Sequence, residues 1–180
     1  MTADDFLYEL LDRTDDATAI TETFRSTDHV ISPWGPMQHG GPVAALLTRA
    51  MDKLNPRPGT RLTRITVDLL GPVPLSAVRV SARTVRPGRR IELLAAVLEA
   101  QDEQGNWREV AHGSAWRQAT QDTTDVVNQA YPRRVKAADE SMLDARSLFP
   151  AQWLVEGFVG ALDVRVNTLG AHQGGPTLAW

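Results

Sequence analysis

The sequence contains no cysteine, which removes disulfides, thiolate nucleophiles and cysteine-ligated metals together. It carries little net charge: 19 Lys and Arg against 22 Asp and Glu give a formal −3. That balance is too small to point to a nucleic-acid or membrane-surface partner. Basic residues gather only locally, at Arg86-Pro87-Gly88-Arg89-Arg90 and Arg133-Arg134-Val135-Lys136. No apolar run approaches the length of a membrane span. The opening Met1-Thr2-Ala3-Asp4-Asp5 is acidic where a secretory signal is basic, so a cytoplasmic protein is expected. There is no Gly-x-Ser-x-Gly elbow, no P-loop and no dinucleotide fingerprint. His29, His39, His112 and His172 lack metal-ligand spacing, so neither a metal nor a cofactor is expected.

What is present reads as one compact α+β domain with something beyond it. A length of 180 residues, 42% of them apolar, holds one domain comfortably, or one and part of another. Phe6, Tyr8 and Leu10 alternate as in a short strand, although Phe6–Leu11 is equally compatible with helix. Asp12–Ala19 is turn-like, and Thr21–Val30 has strand composition. Ser32–Pro42 holds three prolines and three glycines, the mark of a loop with special backbone geometry. Val43, Leu46, Leu47, Ala50, Met51 and Leu54 then fall on one helical stripe, predicting a helix over Val43–Leu54 buried on that face. Pro42 suits its first turn, and Asn55-Pro56-Arg57-Pro58-Gly59 stops it. Four strands are predicted next: Leu62–Leu70, Val78–Arg86, Ile91–Ala100 and Trp107–Arg117. In the first, Thr63, Ile65, Val67 and Leu69 share one face. Short turn-rich connections make the last three an antiparallel meander. The helix must bury its stripe against the sheet, which predicts a curved sheet wrapped round a central helix.

Trp34-Gly35-Pro36, then Gln38-His39-Gly40-Gly41-Pro42, Ala44-Ala45-Leu46-Leu47, Leu70-Gly71-Pro72-Val73-Pro74-Leu75 and Val85-Arg86-Pro87-Gly88-Arg89-Arg90 follow one another in order. This series resembles the thioesterase II (TesB-like) acyl-CoA thioesterases, whose chains hold two hotdog folds. The resemblance covers most of residues 6–118. Phe158–Val166 and Gly174-Gly175-Pro176-Thr177-Leu178-Ala179-Trp180 are similar to the first strands of the family's second hotdog. It implies an N-terminal hotdog over 1–118, a linker over 119–150, and the beginning of a second hotdog over 151–180. It further implies hydrolysis of an acyl-CoA or related thioester in fatty acid metabolism, and a homodimer or higher homo-oligomer. In the family an Asp, a Ser/Thr and a Gln of the second half activate water; no position here matches them, and the chain reads as truncated. A non-catalytic acyl-ligand-binding or assembly subunit is therefore the competing expectation.

Thioester hydrolysis needs donors for an oxyanion and a base for water. Gly40 and Gly41 stand at a helix N-terminus, where backbone N–H groups meet the positive end of the dipole; they equally make a tight turn. His39 has two readings, orienting the carbonyl or acting as base, against one in which packing and a backbone hydrogen bond simply hold it. Gln38 is its weaker companion. Trp34 either lines an acyl channel or anchors the loop. Val43–Met51 contains no carboxylate, which leaves Asp68 as the candidate base, against a solvent-facing or ion-paired strand residue. Arg86, Arg89 and Arg90 flank a turn and suit the phosphates of coenzyme A, or a solvated hairpin end.

Overall fold

The computed structural model describes residues 6–126, 143–144 and 157–166. The chain opens with β1 (Tyr8–Asp15) and β2 (Ala19–Ser26), which settles Phe6–Leu11 as largely strand. Asp16 Oδ1 accepts hydrogen bonds from the Thr18 and Ala19 N–H groups. That Asx turn confines the reversal to three residues, where composition spread it over Asp12–Ala19. A 3-10 turn at Asp28–Val30 leads into a short hairpin, β3 (Ile31–Ser32) and β4 (Gly35–Gln38). The helix α1 runs Gly40–Lys53, so the expected loop over Ser32–Pro42 is a hairpin plus the first helical turn. Four strands follow: β5 (Thr60–Leu69), β6 (Val78–Arg86), β7 (Ile91–Gln101) and β8 (Trp107–Ala119).

These strands form one six-stranded sheet in the order β1-β2-β6-β7-β8-β5, with every neighbouring pair antiparallel. The helix lies across one face, chiefly over β6 and β7. Val43, Leu46, Leu47, Ala50, Met51 and Leu54 are all buried there, against Val78, Val80 and Ala82 of β6 and Leu94, Ala96 and Leu98 of β7. Each large apolar side chain so buried stabilises by about 1.5–3 kcal/mol relative to exposure. This is the α+β arrangement that the helical stripe and the meander predict.

Three polar features fix the helix. Asn55 adopts a left-handed φ of 43° and ends it. Arg117, buried on β8, donates from Nη2 to the carbonyls of Met51 (2.6 Å) and Leu54 (2.9 Å) and from Nη1 to Glu92 Oε2 at 3.1 Å. At mid-length, Arg49 pairs with Glu22, a fully buried carboxylate between Ile20 and Phe24 on β2. Arg13 Nη1 lies 3.6 Å from the second oxygen of Glu22.

Strand β5 forms a sheet edge. Its register shifts between Leu62 and Arg64, so Leu62, not Thr63, joins Val67 against the core. Thr63 instead donates its hydroxyl to the Trp116 carbonyl. Beyond β8, a 3-10 turn covers Thr124–Val126, and β9 (Leu143–Asp144) pairs antiparallel with β10 (Arg165–Val166). The predicted strand over Phe158–Val166 is largely a turn: Ala161 N–H donates to the Gly157 and Phe158 carbonyls, and Leu162 N–H to Val159. Gly157, at φ 91°, permits that turn. Most of the expected linker and second hotdog lies outside the described residues.

Candidate active site at the helix N-terminus

The four N–H groups at the start of a helix have no partner inside it. At α1 three of them are accounted for. His39 N–H donates to the Val30 carbonyl at 2.7 Å. Gly41 N–H donates to His39 Nδ1 at 3.0 Å, and Pro42 has no N–H. Gly40 therefore holds the one remaining donor, at the positive end of the dipole. An added Cβ on Gly40 would sit 3.1 Å from Leu69 Cδ1, the half-exposed tip of a side chain that need shift only slightly. Capping by His39 thus withdraws Gly41 from the expected pair of oxyanion donors.

The same bond fixes the chemistry of His39. A nitrogen that accepts cannot carry the proton, so the neutral ring holds it on Nε2. Burial lowers the His39 pKa from its usual value, which keeps the ring neutral at pH 7. A neutral ring of this tautomer is a hydrogen-bond donor at Nε2, suited to a carbonyl oxygen, and not a base through Nδ1. Two aromatic rings flank it nearly parallel. Trp34 lies 5.4 Å away at 22° and Phe158 4.6 Å away at 27°, centroid to centroid.

Beside this terminus opens a cavity of about 450 Å³, with Trp34, Met37, Leu69, Pro72 and Val73 as apolar walls and Gln38, His39 and Gly40 at its polar end. Buried Gln38 is held from three sides. Its N–H donates to Val73 O, its Nε2 to Pro74 O at 2.7 Å, and its Oε1 accepts from Tyr8 OH at 2.7 Å. Burial pushes the Tyr8 phenol well above its usual pKa, so it remains a donor. Tyr8 also lines a second apolar cavity of about 420 Å³, with Phe6, Phe24, Leu46 and Arg49.

The structure brings Trp34, Gln38, His39, Gly40 and Gly41 together at this terminus and leaves Asp68, Arg86, Arg89 and Arg90 elsewhere. Asp68 sits across from His112 in the β5–β8 register, on the sheet face opposite Val67, with its Oδ2 3.4 Å from His112 Nε2. Alternation along β5 turns it away from the cavity that its neighbour Leu69 lines. Arg86, Arg89 and Arg90 flank the β6–β7 turn, where Arg57 Nη1 donates to Gly88 O. Arg57 follows the C-terminal end of α1, so this turn lies toward the end of the helix away from His39. Among the described residues no group of three or more His, Asp or Glu side chains is placed to hold a metal ion. No described helix is long and apolar enough to cross a membrane.

Residues 30–118 match the family model described as the acyl-CoA thioesterase N-terminal domain. The fold there is a hotdog. A thioesterase family protein from Silicibacter pomeroyi superposes with a TM-score of 0.55 at 19% identity, covering 63% of this chain and 84% of its own. The Escherichia coli PaaI protein, from the phenylacetic acid degradation operon, gives 0.53 at 15%, covering 63% and 80%. Zebrafish thioesterase superfamily member 2 gives 0.54 at 13%, covering 63% and 82%. At such identities these likenesses establish the hotdog architecture alone. No curated protein matches the sequence.

Two residues that the sequence did not single out stand in this hotdog's site. Tyr8 is legible in retrospect, as an inward residue of the first strand. Phe158 has no local signal, because its partner His39 lies far away in the chain.

Proposed function

We propose that the α1 N-terminus is an acyl-thioester site, and that the protein is an acyl-CoA thioesterase of the thioesterase II kind. The supporting observation is one apolar cavity whose polar end holds the Gly40 N–H and a neutral His39. The acyl chain occupies the apolar part, and Gly40 N–H and His39 Nε2–H donate to the thioester oxygen. Water adds to the carbonyl carbon as a base takes its proton, the C–S bond breaks, and the thiolate leaves to be protonated. Among the described residues no carboxylate lines this cavity. This reading assigns the base to a second copy pairing along the β5 edge, where Ile65 and Leu69 are exposed. The setting proposed is fatty acid metabolism in the cytoplasm.

That no carboxylate among the described residues lines the cavity favours one competing reading, a hotdog that binds acyl ligands without hydrolysing them. Thiol release from acyl-CoAs of graded chain length separates the two. Release above the buffer blank, falling by about 10²–10³-fold in His39→Ala, is the expected result. Folded protein that gains thermal stability from a non-hydrolysable acyl-CoA thioether but releases no thiol supports the binder. No stabilisation and no release together overturn both.

A further inference from the structure

The ring of Phe158 reaches the helix N-terminus from a part of the chain outside the hotdog sheet. Its backbone N–H donates to the Ile31 carbonyl at 3.0 Å, which ties the turn to the short hairpin just ahead of His39. Gly157 makes that approach possible. It has φ 91°, and a Cβ there would lie 2.5 Å from Ile31 O. Gly41 is the complementary gap on the helix, since a Cβ there would lie 2.9 Å from Phe158 Cε1 and 3.2 Å from His39 Nδ1. Two glycines, one on each side, thus let an aromatic ring settle 4.6 Å from the imidazole. The one cause that lowers the His39 pKa is burial, and Phe158 is among the groups that bury it.

We infer that Phe158 is a positioning residue for His39: the Gly157–Phe158 turn holds the imidazole against the helix N-terminus with Nδ1 accepting from Gly41 and the proton on Nε2. Without the ring, His39 can rotate about its side-chain bonds, the cap on Gly41 loosens, and water reaches both nitrogens. The C-terminal segment then belongs to the site in the same chain as the hotdog, and acts by setting the donor that faces a carbonyl.

The inference deepens the thioester reading and takes its purpose from it, but its test reads the imidazole directly. The full chain, labelled with ¹⁵N, is titrated by NMR as wild type, Phe158→Ala, Phe158→Tyr and Gly157→Ala, with a thermal melt of each. Wild type should show an Nε2-protonated ring titrating below histidine's usual value of about 6.5. In Phe158→Ala and Gly157→Ala the titration should move up toward that value and the tautomers should mix. Phe158→Tyr, which keeps the ring, should restore wild-type behaviour. Should an alanine variant fail to fold, Phe158→Leu replaces it, keeping apolar bulk and giving up the stacked ring. Folded variants whose His39 keeps both its tautomer and its titration overturn the inference. A protein without thioesterase activity still gives a clear answer, so failure here and failure of the thioester reading are told apart.

Discussion

Replacing Arg117 with Met should expose how strongly the far end of α1 is held. The side chain is buried at 3% exposure. Its guanidinium joins four carbonyls at the helix end, those of Met51, Asp52, Leu54 and Asn55, to the Glu92 carboxylate. Methionine fills a similar space but leaves Glu92 at 6% exposure with Arg57 alone, at 3.1 Å. Removing one partner of a buried pair costs about 3–5 kcal/mol. For a chain of this size that lowers Tm by roughly 6–20 °C. Converting Glu92 to Leu in the same molecule removes the stranded carboxylate and should recover part of the loss. The Met51 and Leu54 carbonyls stay unsatisfied at about 1–3 kcal/mol each, so the double variant remains below wild type. Urea unfolding with m unchanged measures both steps. A loss under about 1 kcal/mol for Arg117→Met, or a double variant no more stable than the single, would refute the reasoning.

Tyr8→Phe removes the donor to Gln38 Oε1 and leaves a buried amide oxygen unpaired; a loss of about 1–3 kcal/mol in denaturant unfolding is expected. Gly41→Ala should destabilise more than Gly40→Ala. The former drives a Cβ to 2.9 Å from the Phe158 ring, while the latter meets only the half-exposed tip of Leu69 at 3.1 Å. Thermal melts of the two should rank them in that order. His112 is raised in pKa, chiefly by its hydrogen bond to Glu109 and also by the Asp68 charge. A folded pKa above the unfolded one stabilises fully below about 6.5 and fades as pH rises through the folded value. The stability difference between wild type and His112→Gln should accordingly be present at pH 5.5 and vanish at high pH, as urea midpoints across that range would show.

The hotdog was legible because its signals are local and periodic. The buried face Val78, Val80, Ala82 and the stripe Val43 to Leu54 each repeat at the spacing of their element. What escaped depends on pairs distant in the chain. The β-bulge that turns Leu62 inward is set by its pairing with β8; alternation alone placed Thr63 there. The Gly-Gly pair marked the helix start, yet which N–H stays open was decided by the imidazole of His39 bending back onto Gly41. Glu22 sits between Ile20 and Phe24 in strict alternation, so its burial was readable, but its partner Arg49 is known only from the packing of α1 on β2. Arg86, Arg89 and Arg90 suggested phosphate binding by composition, and composition does not say at which end of a helix a turn falls.

The reach of Phe158 to His39 also has a consequence in time. Synthesis runs from the N-terminus, and every strand of the main sheet has been made once Ala119 is added. Phe158 follows after roughly forty more residues, about 2–8 s at usual elongation rates. All six strands thus precede Phe158 in synthesis, and a hotdog sheet that closes over α1 before this residue docks leaves His39 without the ring that steadies it. Docking of Phe158 is then a step separate from closing the sheet, and the helix terminus is complete only once it has happened.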